Sequence, residues 1–163
     1  MPTVSDIRKS LSSTPPGFEE IAGAAKAQLK ALDVFFTAQM PQFEPQMRKS
    51  VTYCLKNRGK RLRPLLVFFC GAKKSAKVDE ALVRLAATIE LVHLATLVHD
   101  DVMDEADLRH GTSTLNALSG PTIAVLLGDS LFAHALELAA DFDSESICKP
   151  LTRAARRVCA GEV

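Results

Sequence analysis

The sequence predicts an all-α domain. Three observations carry that expectation. Apolar residues recur at three- and four-residue steps along most of the chain, the period of one helical face. No stretch alternates apolar with polar residues for long enough to make a trustworthy strand. Prolines and glycines punctuate the periodic segments into about six units. The chain has 163 residues, 47% hydrophobic and 24% charged. That suits one soluble domain with a substantial core.

Pro15, Pro16 and Gly17 set off residues 1–17 as a loosely ordered segment. From Phe18 to about Met40, the residues Ile21, Ala25, Leu29, Leu32 and Phe36 mark one amphipathic helix. Pro41 and Pro45 interrupt it, and a second helix is expected from about Gln46 to Lys56. Gly59 turns the chain into a third helix, from around Leu62 to about Gly71, with Pro64 tolerated in the first turn. Asp79 can cap a long fourth helix, whose pattern runs through Leu82, Leu85, Ile89 and Val92 to about Glu105. Residues 106–120 read as a loop with at most a short turn. Pro121 opens a fifth helix to about Ala140, and a sixth starts near Ser146 with Pro150 in its first turn. The pattern is unfinished at Val163, as expected of a fragment of a longer chain. The pairs Phe35–Phe36 and Phe68–Phe69 read as core, His134 as packed against a neighbouring helix, and His99 as a helix-end residue. Asp129 is expected either to cap or to reach a cavity.

Twenty basic residues face 19 acidic ones, a formal net charge of +1, so nothing favours a nucleic-acid surface. Cys54, Cys70, Cys148 and Cys159 form no CxxC pair and read as buried thiols in a reducing compartment. The N-terminus lacks the apolar core of a signal peptide, and no uninterrupted apolar run approaches the roughly 18 residues of a membrane span. A cytoplasmic protein without a transmembrane segment is expected.

The chemistry concentrates in "LVHLATLVHDDVMDEADLRHG", residues 91–111. At about 100° per residue, Asp100 and Asp104 share a helix face, with Asp101 beside them. His93 and Thr96 lie on the same stripe, two turns and one turn before Asp100 respectively. Carboxylates without His or Cys among them favour a hard cation, best magnesium, which takes one or two carboxylates and completes its shell with water and phosphate. A solvated helix end with capping acids is the plainer reading. Against it, acids are unfavourable at a helix C-terminus, where the dipole is negative. In "NRGKRLRP", residues 57–64, the cations Lys60, Arg61 and Arg63 precede a helix, an arrangement suited to phosphate. As a lone turn it is equally a solvated surface. Arg109 can clamp a diphosphate or simply pair with Asp107.

Together "GKRLRP", "HLATLVHDDVMDEADLRHG" and "LLGDSLF" resemble the trans-isoprenyl (polyprenyl) diphosphate synthases, from about residue 45 onward. The resemblance implies an isoprenoid-synthase helical bundle, truncated, with residues 1–163 as the N-terminal part of one all-α prenyltransferase domain, and a homodimer. It implies that Asp100, Asp101 and Asp104 form the first aspartate-rich motif, with Asp100 and Asp104 as direct magnesium ligands. By the same resemblance Arg109 holds an allylic diphosphate, while Lys60, Arg63 and His93 hold isopentenyl diphosphate. Ala95 and Thr96 occupy positions that floor the product cavity in this family; both are small, which implies a medium- or long-chain product. His110 stands where a second Arg is usual, and Ser113 where Pro is frequent. The second aspartate-rich motif is absent from these residues, so they are not expected to catalyse alone. A non-catalytic subunit of a heteromeric synthase is the alternative. A terpene cyclase, which also uses DDxxD, has little need of the second basic site.

Overall fold

The computed structural model of the protein describes residues 17–57, 59–71, 78–142 and 145–161. The expected disorder of the segment before Gly17 therefore lies outside the described residues. Among those described, the secondary structure is α1 (Phe18–Ala24), α2 (Lys26–Gln39), a 3₁₀ turn (Met40–Gln42), α3 (Arg48–Lys56), α4 (Leu62–Gly71) and α5 (Glu80–Met103), then a hairpin of β1 (Leu108–Arg109) and β2 (Thr112–Ser113), then α6 (Leu115–Ser119), α7 (Pro121–Ala140) and α8 (Glu145–Gly161). The all-α expectation holds.

Several boundaries differ from the sequence reading. The expected single helix over 18–40 breaks at Ala25 (φ −104°, ψ 17°). Ala25 is 2% exposed, so the break sets a small side chain into the core, and Gly23 just before it weakens helical continuity. The second helix starts at Arg48, because Pro45 ends in a turn closed by Met47 N–H on the Glu44 carbonyl. Pro150 lies inside α8, beyond its first turn, since the helix begins at Glu145. Phe69, expected in the core, is 47% exposed, and Cys70, expected as a buried thiol, is exposed as well.

Helix α5 is the axis of the molecule. Asp79 caps it as expected, its carboxylate accepting from Ala81 N–H at 3.0 Å and Leu82 N–H at 3.4 Å. Its largest packing partner is α7, followed by α4 and α2. Leu91, Leu94, Ala95 and Val98 of α5 meet Leu127, Leu131 and Ala135 of α7 in one continuous core. By length and mean hydropathy alone α5 and α7 would each suffice to cross a bilayer, although neither is an uninterrupted apolar run. Half of the relevant α5 window and 44% of that in α7 are buried within the bundle, as for core helices.

Candidate active site

The acidic end of α5 is shaped by its C-cap. Asp104 N–H bonds the Asp100 carbonyl at 2.8 Å, Glu105 N–H the Val102 carbonyl at 3.2 Å and Ala106 N–H the Asp101 carbonyl at 3.0 Å. Glu105 adopts φ +50°, a left-handed conformation that glycine usually fills at this position. The chain reverses there and enters the hairpin. Leu108 pairs with Ser113 and Arg109 with Thr112, leaving His110 (φ +52°) and Gly111 (φ +77°) as a two-residue turn. Positive φ at both central residues is the turn type that suits the twist of a hairpin. The sequence reading took this stretch for a loop. Strands of two residues carry no period to detect, and the His-Gly pair was the available signal.

The consecutive aspartates point apart. Asp100 lines a cavity of about 720 Å³ between α5 and α8. Asp101 is buried and turns to the hairpin, where its Oδ1 accepts from Arg109 Nε at 2.8 Å. Asp101 is therefore not beside Asp100 and Asp104 on the cavity face, and Arg109 pairs with Asp101 rather than with Asp107. Asp104 is exposed at the helix end. Neither Asp100 nor Asp104 forms an ion pair among the described residues.

The donor set bears on the expected metal. The described residues contain no group of three or more His, Cys, Asp and Glu side chains placed to hold an ion. Two carboxylates remain: Asp100 lines the cavity, and Asp104, one turn on, is exposed at the helix end. That count suits magnesium, which completes its shell with water and phosphate oxygen, and does not suit an all-protein cage.

From Asp100 the large cavity runs along α5 past Thr96, Val92, Ile89 and Leu85, with Ile147 and Leu151 of α8 opposite. Leu85 to Asp100 spans about 22 Å at 1.5 Å per residue. Thr96 reaches this cavity with its hydroxyl bonded to the His93 carbonyl at 2.8 Å, so its polar group is satisfied within the helix. Ala95 does not line it: it is 1% exposed in the core on the opposite side of α5. The expected chain-length pair is thereby split between two faces.

A second cavity, about 220 Å³, lies beside the first. Lys60, Arg61 and Arg63 form one wall, His93 and Glu90 of α5 the floor, and Arg109 with His110 the other wall. The basic turn is held by left-handed residues at Gly59 (φ +66°) and Arg61 (φ +52°). For a non-glycine residue that conformation costs roughly 1–2 kcal/mol. Arg61 Nη2 pairs with Asp33 Oδ1 of α2 at 2.8 Å, and Lys60 Nζ sits 5.5 Å from the centre of the Phe18 ring. Burial and the charges of Arg63 and Arg109 hold His93 down at about 4 from an ordinary 6.5, so the imidazole is neutral at pH 7. Lys60, Arg63 and His93, which the resemblance assigns to isopentenyl diphosphate, line a single cavity together with His110 and with Arg109, which it assigns to the allylic diphosphate. Arg63, His93 and Leu97 line both cavities, which meet there.

Glu90, in the basic cavity, and Tyr53, beside the hairpin, carry no sequence signal that marks them as part of the site. His99 lies against α7, its Nε2 3.3 Å from the Val125 carbonyl and 3.5 Å from Asp129 Oδ1. A Cβ at Gly128 would fall 2.1 Å from that nitrogen, so the glycine makes room for the ring. Asp129 has a 66% exposed side chain and does not line either cavity. His134 is buried as expected, bonded to Gln39 Oε1 at 3.1 Å and edge-on to Phe43.

This arrangement is an isoprenoid-synthase helical fold, and comparison with known proteins makes the assignment specific. The family described as polyprenyl synthetase matches residues 44–163, and the chain belongs to it. It is 36% identical over 111 residues to octaprenyl diphosphate synthase of Escherichia coli, covering 68% of this chain and 34% of that protein. It is 33% identical over 148 residues to heptaprenyl diphosphate synthase component 2 of Geobacillus stearothermophilus, covering 83% and 46%. Its fold matches the crystal structure of a polyprenyl synthase from Caulobacter crescentus, complexed with calcium and isoprenyl diphosphate, with a TM-score of 0.78 and 32% identity over 92% of this chain and 45% of that one. The chain thus spans less than half the length of these relatives.

Proposed function

We propose that the protein of which these residues form part condenses isopentenyl diphosphate with an allylic prenyl diphosphate, giving a medium- or long-chain trans-polyprenyl diphosphate. One observation carries the reading: a basic cavity and an acid-headed apolar cavity share the wall made by Arg63, His93 and Leu97. Two diphosphates can therefore sit side by side, with one apolar tail directed along α5. Magnesium held by Asp100 and Asp104 would neutralise the departing diphosphate.

In this reading Lys60, Arg63 and neutral His93 hold isopentenyl diphosphate, with His110 at the rim. Arg109, fixed by Asp101, holds the allylic diphosphate and stabilises charge as its carbon–oxygen bond breaks. The isopentenyl double bond attacks the allylic carbon, and proton loss restores an alkene. Ile89, Val92 and Leu151 keep water from the cation. The relatives named for octaprenyl and heptaprenyl products support a long product. We extend the proposal to a cytoplasmic homodimer, since α7 exposes Ile123, Val125, Leu126 and Leu136 on its outer face. A subunit of a heteromeric synthase is the second reading, favoured by the likeness to a synthase component.

The test is incorporation of labelled isopentenyl diphosphate into extractable polyprenyl product with magnesium and farnesyl diphosphate, for the 163-residue chain and for its complete reading frame. Product from the complete protein alone supports the homomeric enzyme. Product only after adding a partner supports the subunit, and none under either condition contradicts both.

A further inference from the structure

Tyr53 is the single tyrosine of the chain, and it stands outside both substrate cavities. Its phenol on α3 donates to the Ser113 carbonyl of β2 at 2.5 Å, across 60 residues of sequence. Arg109 on β1 is tied to α5 through Asp101. Thr114 closes the base of the hairpin, its hydroxyl donating to the Ala106 carbonyl at 2.6 Å. The two strands are therefore anchored to two different helices. Lys60 and Arg61 lie in the connection that follows α3, and Arg63 lies in the first turn of α4, so the helix that grips the hairpin also leads into the basic wall opposite it.

The space under this grip is a cleft of about 60 Å³ lined by Tyr53, Cys54, Asp101, Arg109 and Ser113. The Cys54 thiol there is pushed up to about 12 by burial and then by the Asp101 charge, as expected where water is scarce. A hydrogen bond in such a place is not readily exchanged for one to solvent.

We infer that Tyr53 is a positioning residue for diphosphate recognition, setting the distance between the Lys60–Arg63 wall and the Arg109–His110 wall without touching substrate. The inference rests on the basic cavity being a diphosphate site. Tyr53→Phe keeps the ring and removes only the donor. Metal-free titration of the chain with inorganic pyrophosphate should then show affinity about 3- to 10-fold weaker, the equivalent of one net hydrogen bond. Farnesol binding in the apolar cavity, built by α5 and α8, should stay unchanged, whereas general loss of structure would weaken both. Equal pyrophosphate affinity in Tyr53→Phe and the unmutated chain overturns the inference and leaves the site reading intact; so does parallel weakening of both ligands. An unmutated chain that binds no pyrophosphate overturns the site reading, and the inference with it. Should the variant not fold, 3-fluorotyrosine labels Tyr53 alone: its fluorine resonance should shift as pyrophosphate saturates the cavity, and an unmoved resonance at saturation overturns the inference.

Discussion

The two sides of α5 divide the labour of the site, and adjacent residues fall on different sides. Asp100 and Thr96 face the large cavity, whereas Asp101 and Ala95 are buried on the other side. Asp101 spends its charge on Arg109, while Asp100 and Asp104 have no cation among the described residues. A string of like residues thus faces two surroundings. The phase of the helix separates them: Asp100 opens to the cavity, where the proposed ligand would meet it, and Asp101 faces inward to Arg109. The inward pair stabilises the hairpin and presents Arg109 in a fixed direction.

The widest predicted gap between the two sides is in turnover. In the complete protein Asp100→Asn should lower kcat at least about 100-fold, the scale of one lost preorganised electrostatic contact. Steady-state kinetics with magnesium check it, and near-normal turnover would take Asp100 out of that role. Asp101→Asn should act on stability, by about 1.5–3 kcal/mol for a hydrogen bond between charged groups. Urea unfolding of the chain measures it. A smaller contrast separates the neighbouring pair. Ala95→Phe overfills the core and should cost about 1–3 kcal/mol. Thr96→Phe enters the cavity instead and should shorten the product with little loss of stability, read by chromatography and a melting curve.

A further contrast, in pH dependence, concerns His93. Its folded-state value of about 4 lies below the ordinary 6.5, so between these the unfolded chain binds more protons. His93 therefore contributes stability above about pH 6.5 that is lost as pH falls toward about 4. His93→Gln should flatten this part of the stability–pH curve, and equal slopes in the two proteins would contradict the assignment.

Much of the fold was legible because α4, α5 and α7 announce themselves by period, by the Asp79 cap and by prolines at their starts. The basic cavity was legible because its cations flank turns. What stayed hidden was set by phase and by contacts between distant segments. One residue of rotation separates Asp100 from Asp101, and a cluster of acids does not reveal which one turns inward. The split at Ala25 follows from core packing against its small side chain. Tyr53 and Ser113 are 60 residues apart, and no local pattern joins them. The hairpin itself is two residues per strand, shorter than any alternation that could betray it.

The division of α5 is tested most directly by pyrophosphate titrations of Asp100→Asn and Asp101→Asn, each with and without magnesium. Asp100→Asn should keep the metal-free affinity and lose the gain that magnesium gives. Asp101→Asn should lose metal-free affinity, because Arg109 is released, and keep the gain. The same pattern of loss in both variants would contradict the account.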